Sequence, residues 1–179
     1  MKSISKPAGG EYAPYAIMYI SLLPDDGSVL GHLKDNYDAL RKFILALPDH
    51  KLAYRYAADK WTIKEILVHI MDTERIFGYR ALRFARNDKT ALPGYEQNDY
   101  VPYSKANERT LTDIFQEYAA LRSATITMFE SFCDEDYVRN GIANGNPASV
   151  RALAYQIAGH ELHHWNLIKE RYVPDHWPK

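Results

Sequence analysis

Near the C-terminal end of the sequence stands His160-Glu161-Leu162-His163-His164. Two imidazoles four residues apart on a helix face the same way and can ligate one metal ion. The string also spells H-E-x-x-H, in which two histidines hold zinc and the glutamate is the general base of a metalloprotease. The chain thus offers two metal chemistries, and the source of a third ligand decides between them.

The protease reading fails on context. The extended motif needs Gly seven residues and His ten residues after the first His, but those places hold Leu167 and Glu170. Other zincins take a glutamate ligand from a helix well downstream, and only fifteen residues follow His164. No edge strand is readable upstream to hold a peptide. Glu161 is then an exposed or interhelical carboxylate, and its place in the motif is chance.

His69 is the natural third ligand. It lies amid Ile66-Leu67-Val68-His69-Ile70-Met71, and Leu153, Ile157, Leu167 and Ile168 accompany the pair His160 and His164. A lone histidine in such a setting reads as a core residue bonded to backbone or carboxylate. The pair on an apolar face, completed by His69, favours a metal site instead. Three neutral imidazoles leave a divalent ion its full charge and an open position. A water there is acidified, or a thiolate is held directly. His32, His50 and His176 lack this setting, and His163 points about 100° away from His164 by the helix period, toward the surface or the rim of the site.

Other candidates carry less. Arg80 and Arg83 lie near the stripe of His69 and could meet an anionic group at the bundle mouth. Pairing with Asp72, Glu74 or another surface acid is the favoured reading. Cys133 is distant from any base and reads as structural. The fourteen tyrosines read as core and interface residues.

These residues need helices to position them. Asp25-Asp26-Gly27-Ser28 begins a first helix, whose apolar series Leu30, Leu33, Tyr37, Leu40, Ile44 and Leu47 runs to Pro48. Thr62 and Glu65 form a capping box that opens a second helix, 62–86, carrying His69. A third spans 108–132, and Ser149 caps a fourth over 149–172, before Pro174 and the tail. Residues 50–60, 87–107 and 133–147 read as loops. Residues 1–24 read as an extended N-terminal arm, anchored by Tyr12, Tyr15 and Tyr19, ahead of one bundle domain over 25–179. Four amphipathic helices and no convincing strand give an all-α four-helix bundle. The linker of about 21 residues between the second and third helices suits a crossover between parallel helices.

Composition excludes several classes. The 179 residues are 46% hydrophobic and 25% charged with net charge -1, so one ordinary globular domain is expected. No basic stripe serves a nucleic acid. No apolar run reaches the ~18 residues of a membrane span. One cysteine and no apolar leader point to a reducing cytoplasm.

Trp61-Thr62-Ile63-Lys64-Glu65-Ile66-Leu67-Val68-His69, then Asp72-Thr73-Glu74-Arg75, Tyr79 to Arg86, and Ser149 through His164 together resemble the DinB/YfiT-like superfamily. The resemblance covers nearly the whole chain. It implies an up-down-down-up bundle, a divalent metal, commonly nickel or zinc, on His69, His160 and His164, and a homodimer. It further implies a metal-dependent enzyme acting on a small molecule. That enzyme would be a thiol-dependent S-transferase using bacillithiol, mycothiol, glutathione or another low-molecular-weight thiol on an electrophile. Hydrolysis at the same site is the alternative, as is a non-catalytic, metal-stabilised binding or stress-response module. No residue beyond the ligands is identifiable as catalytic.

Overall fold

Four long helices carry the fold in a computed structural model that describes residues 1–173: α1 Val29–Leu45, α2 Ile63–Ala85, α3 Leu111–Glu130 and α4 Val150–Leu167. A π-helical stretch, Ile168–Tyr172, prolongs α4. Pro174 and His176 lie outside the described residues. The capping box is formed: Glu65 N–H donates to Thr62 Oγ1 at 3.1 Å, and Thr62 N–H donates to Glu65 Oε2 at 2.7 Å. Ser149 Oγ accepts from Ala152 N–H at 3.1 Å and starts α4 as expected.

Contacts along the helices give the chain direction. Lys64 Nζ, early on α2, donates to the Arg109 carbonyl just before α3, at 2.6 Å. Farther along both helices, Arg122 Nη2 meets Glu74 Oε2 at 2.8 Å. Thus α2 and α3 run parallel, and the long 86–110 connection is the crossover. Arg122 also reaches the Leu33 carbonyl, while Tyr37 donates to the carbonyl of Phe115, so α1 opposes α3. His69 faces His160 and His164, and Tyr172 beyond α4 donates to the Trp61 carbonyl ahead of α2, so α4 opposes α2. The bundle is up-down-down-up.

Two apolar clusters fill it. One joins the arm to Leu33, Phe77, Phe84, Phe129, Leu153 and Ile157. The other joins Leu40, Ile44, Ile66, Met71, Ile114 and Tyr118 to Ile168. Between them each of the three later helices contributes buried polar residues: Thr73 and Glu74 on α2, Arg122 and Thr125 on α3, His160, Glu161 and His164 on α4. A polar layer thus crosses the middle of the bundle. Such burial is unfavourable unless every group is partnered, so the layer marks where structure or function requires polarity.

Three readings of the connections are corrected. The arm is held by Ile4, Ala16, Ile20 and Leu23, all buried, whereas Tyr15 is exposed. Pro14 begins a 3-10 turn that leads into a short helix, Ile17–Ile20, which turns the small apolar residues inward. Residues 87–107 and 50–60 include short helical segments, such as Gln97–Tyr100 and Asp49–Leu52. Residues 133–147 are more ordered than a loop. They hold a short helix, Asp134–Val138, and lead into an antiparallel hairpin of β1, Asn140–Ala143, and β2, Asn146–Ser149. Asn144 and Gly145 at its tip have φ of 50° and 72°, the left-handed pair a two-residue hairpin turn requires.

The hairpin matters because it holds the crossover. Leu92 N–H donates to the Ile142 carbonyl at 2.9 Å and Asn144 N–H to the Leu92 carbonyl at 3.0 Å. The chain that leaves Leu92 then carries Tyr95 over α2, where its hydroxyl lies 2.7 Å from that of Thr73.

Candidate metal centre

The three expected ligands come together. His69 on α2 and His160 and His164 on α4 place one nitrogen each within 4.8 Å of the others. His69 Nε2 is 3.0 Å from His160 Nε2, and His164 Nε2 is 3.1 Å from it. The helix period brings His160 and His164 onto one face, and the antiparallel packing of α2 against α4 brings up His69. Trp61 backs His69 with ring centroids 4.7 Å apart, and Tyr19 of the arm packs edgewise on His160 at 5.3 Å. All three imidazoles are 4–9% exposed.

Burial sets their charge. It pushes His69 down to about 4. Burial, with the neighbouring imidazoles adding to it, holds His160 and His164 well below the ordinary histidine range. The rings are therefore neutral at physiological pH and offer lone pairs. As a hydrogen-bonded cluster the triad is not closed. His160 Nε2 carries one hydrogen or one lone pair, so it properly satisfies one of its two neighbours. His164 Nδ1 is buried without a partner among the described residues. Two nitrogens that ligate one ion at about 2.0–2.1 Å stand about 3.0–3.4 Å apart, which matches the spacing of His160 from each of the other two. The donor set fits a divalent cation, for which imidazole is a suitable ligand.

Glu161 does not belong to this centre. It is fully buried and faces α3, one residue around the helix from His160. Its Oε1 accepts from the Tyr118 hydroxyl at 2.5 Å, and its Oε2 accepts from Arg122 Nη1 at 3.0 Å. Arg122 also binds Glu74 through Nη2. One arginine thereby ties α1, α2, α3 and α4 together. Burial pushes the Glu161 carboxyl up, and Arg122 opposes that shift. Of the two readings of Glu161, the interhelical one holds and the exposed one does not. Its four-helix role was invisible in the sequence, because Arg122 and Glu74 sit on separate distant segments.

Two cavities flank the triad. One, about 260 Å³, reaches His160 and is lined by Tyr15, Tyr19, Thr73, Arg80, Tyr95 and Asn144, among others. The second, about 200 Å³, reaches His164 between Tyr56, Trp61, Asn98 and Tyr172. Larger hollows, such as the one between Tyr37 and Phe115, lie away from the histidines. Arg83 pairs with Asp88, as the pairing reading expects. Arg80 departs from it: the guanidinium is buried at the wall of the first cavity and, among the described residues, hydrogen-bonds only the Pro93 carbonyl, at 2.8 Å. Several tyrosines expected in core or interface, Tyr15, Tyr19 and Tyr95, line this cavity instead. The residues that reading by sequence missed, Asn144 and Tyr95, arrive through the hairpin and the crossover. The Asn-Gly turn was the available signal. His163 sits partly buried beside Tyr19, at 5.4 Å between rings, off the triad. Cys133 is exposed, and its neighbours Asp136 and Glu135 push its thiol up, against reactivity. No helix among the described residues is long and apolar enough to cross a membrane.

Comparison with known proteins bears on this geometry. The profile of the DinB superfamily matches residues 32–168. A protein of Geobacillus thermodenitrificans (strain NG80-2), described as a "Putative metal-dependent hydrolase", is 24% identical over 131 residues, which span 71% of this chain and 72% of the relative. Among solved structures, YfiT from Bacillus subtilis is described as a probable metal-dependent hydrolase with an unusual four-helix bundle topology. It matches with a TM-score of 0.74 at 14% identity, over 82% of this chain and 85% of that chain. That likeness shows the fold.

Proposed function

The chain belongs to the DinB superfamily, and from that premise we propose that it is a metal-dependent enzyme whose divalent ion is held by His69, His160 and His164. The observation that carries this reading is the convergence of three buried, neutral Nε2 atoms that cannot all satisfy one another. When bound, the ion supplies Lewis acidity toward a substrate oxygen or sulfur and lowers the pKa of whatever it ligates. The chain's own groups do the rest. Tyr19, Thr73, Tyr95 and Asn144 line the cavity at His160 and orient a substrate by hydrogen bonds. Tyr19 and Trp61 cover the rings and exclude water. Glu161 supplies no base, since Arg122 and Tyr118 occupy both its oxygens.

Hydrolysis of a small molecule is the first reading, supported by the descriptions of the Geobacillus protein and of YfiT. Transfer of a low-molecular-weight thiol to an electrophile is the second. One observation favours it: the triad has a cavity on each side, so two reactants have room to meet there. Zinc and nickel are the metals proposed.

Elemental analysis of untagged protein tests the centre. About one divalent ion per chain is expected, with loss of the ion in His69→Ala and in His160→Ala. Sparse metal for every ion offered, unchanged by His69→Ala, would sink the assignment. Turnover screens with ester, amide and thiol-plus-electrophile panels then separate the two reactions.

A further inference from the structure

The cavity beside His160 has a buried cation on its wall to which no described residue supplies a counter-charge. Arg80 is 6% exposed. Its neighbours in sequence are paired elsewhere: Asp72 with Arg75, Glu74 with Arg122, and Asp88 with Arg83. Arg80 itself forms no ion pair among the described residues. Of its five N–H donors one goes to the Pro93 carbonyl, and its guanidinium carbon lies 5.6 Å from the Phe77 ring centroid. The rest of the lining holds no acid, and Tyr15, Tyr19, Thr73, Tyr95, Gln97 and Asn144 supply neutral hydroxyls and amides. A buried charge without a partner is unfavourable. An arginine whose only task was to hold Pro93 could be replaced by a neutral donor.

We propose that Arg80 anchors an oxyanion subsite: the cavity takes a small molecule whose carboxylate or phosphate pairs with the guanidinium while its other end reaches His160. The planar fork of arginine suits both groups. The 260 Å³ volume equals about eight or nine water molecules at ~30 Å³ each, enough for a compact organic acid. The inference deepens the metal-enzyme reading by naming the substrate class. It rests on that reading for the reacting end only, since the oxyanion pairs with Arg80 whether or not a metal is bound.

Calorimetric titration of the full chain tests it, with succinate and inorganic phosphate as probes and neutral succinamide as control. The wild type is expected to bind at least one of the two oxyanions and to ignore succinamide; which oxyanion binds distinguishes carboxylate from phosphate substrates. Arg80→Met should weaken binding at least about tenfold, and Arg80→Lys by less, because it keeps the charge but loses the fork. Gln97→Glu adds a negative charge at an exposed rim position and should weaken binding severalfold with the ligand-free melting temperature unchanged. It decides the matter if Arg80→Met does not fold. The same Arg80-dependent binding should persist in His69→Ala. That arm separates this proposal from the metal assignment, which elemental analysis judges alone. Equal binding by wild type and Arg80→Met, insensitivity to Gln97→Glu, no preference over succinamide, or no binding of either oxyanion at millimolar concentration would each overturn the subsite.

Discussion

Arg122 Nη1 donates to Glu161 Oε2 at 3.0 Å, and this pair holds the glutamate of the H-E-x-x-H string away from the histidines that flank it. The same guanidinium reaches Glu74 and the Leu33 carbonyl. A buried cation between two carboxylates is a device for joining helices, and here it joins four.

Removing that cation strands two buried carboxylates. Arg122→Leu is expected to lose about 3–5 kcal/mol of stability. Glu161→Gln keeps the shape and one hydrogen bond, so about 1–3 kcal/mol is expected. Urea denaturation measures both. Glu161→Gln should also retain its metal, because the residue faces α3. A folded Glu161→Gln protein that has lost the ion would contradict the geometry.

Acid should weaken the fold through the triad. His69 is held at about 4 against an ordinary 6.5 by burial. Between those values the unfolded chain takes up a proton that the folded chain refuses. The contribution is therefore intact above 6.5 and is lost as pH falls toward 4, at about 1.4 kcal/mol per pH unit for each imidazole. His160 and His164 shift in the same direction. Denaturation of metal-free protein between about pH 7.5 and 5 should show this slope, and His69→Leu should flatten it. Parallel curves for the two proteins would mean that His69 is not held neutral.

Gly159 lets the arm reach the site. A Cβ there would fall closer than 3.0 Å to the backbone of Tyr19, the residue whose ring packs on His160. Gly159→Ala should displace the Ile17–Ile20 helix at a cost of about 1–3 kcal/mol and expose the 17–22 segment to limited proteolysis. Unchanged cleavage and an unchanged melting temperature would count against this contact.

Much of the centre is legible in the residues alone. The spacing of His160 and His164 depends only on the helix period, and the Thr62–Glu65 box and the Ser149 cap involve residues three apart, whose geometry is local. The apolar surroundings of His69 marked it as facing inward. Glu161 was half legible: its departure from the protease role followed from missing ligands, while its partner Arg122 lies 39 residues away on another helix. The hairpin was not read, although Asn144-Gly145 announced its turn, since four-residue strands carry too little periodicity to detect.

Local sequence thus sets the four helices, their inward faces and the three histidines, because backbone hydrogen bonding and side-chain period act within a turn or two. Which charges meet is settled by long-range packing. Arg83 found Asp88 five residues away, whereas Arg80, on the same helix, was turned into a cavity with no acid on its wall. Pairing of that kind depends on how the crossover, the hairpin and the arm pack over α2, and packing joins segments whose separation in the chain carries no local signal.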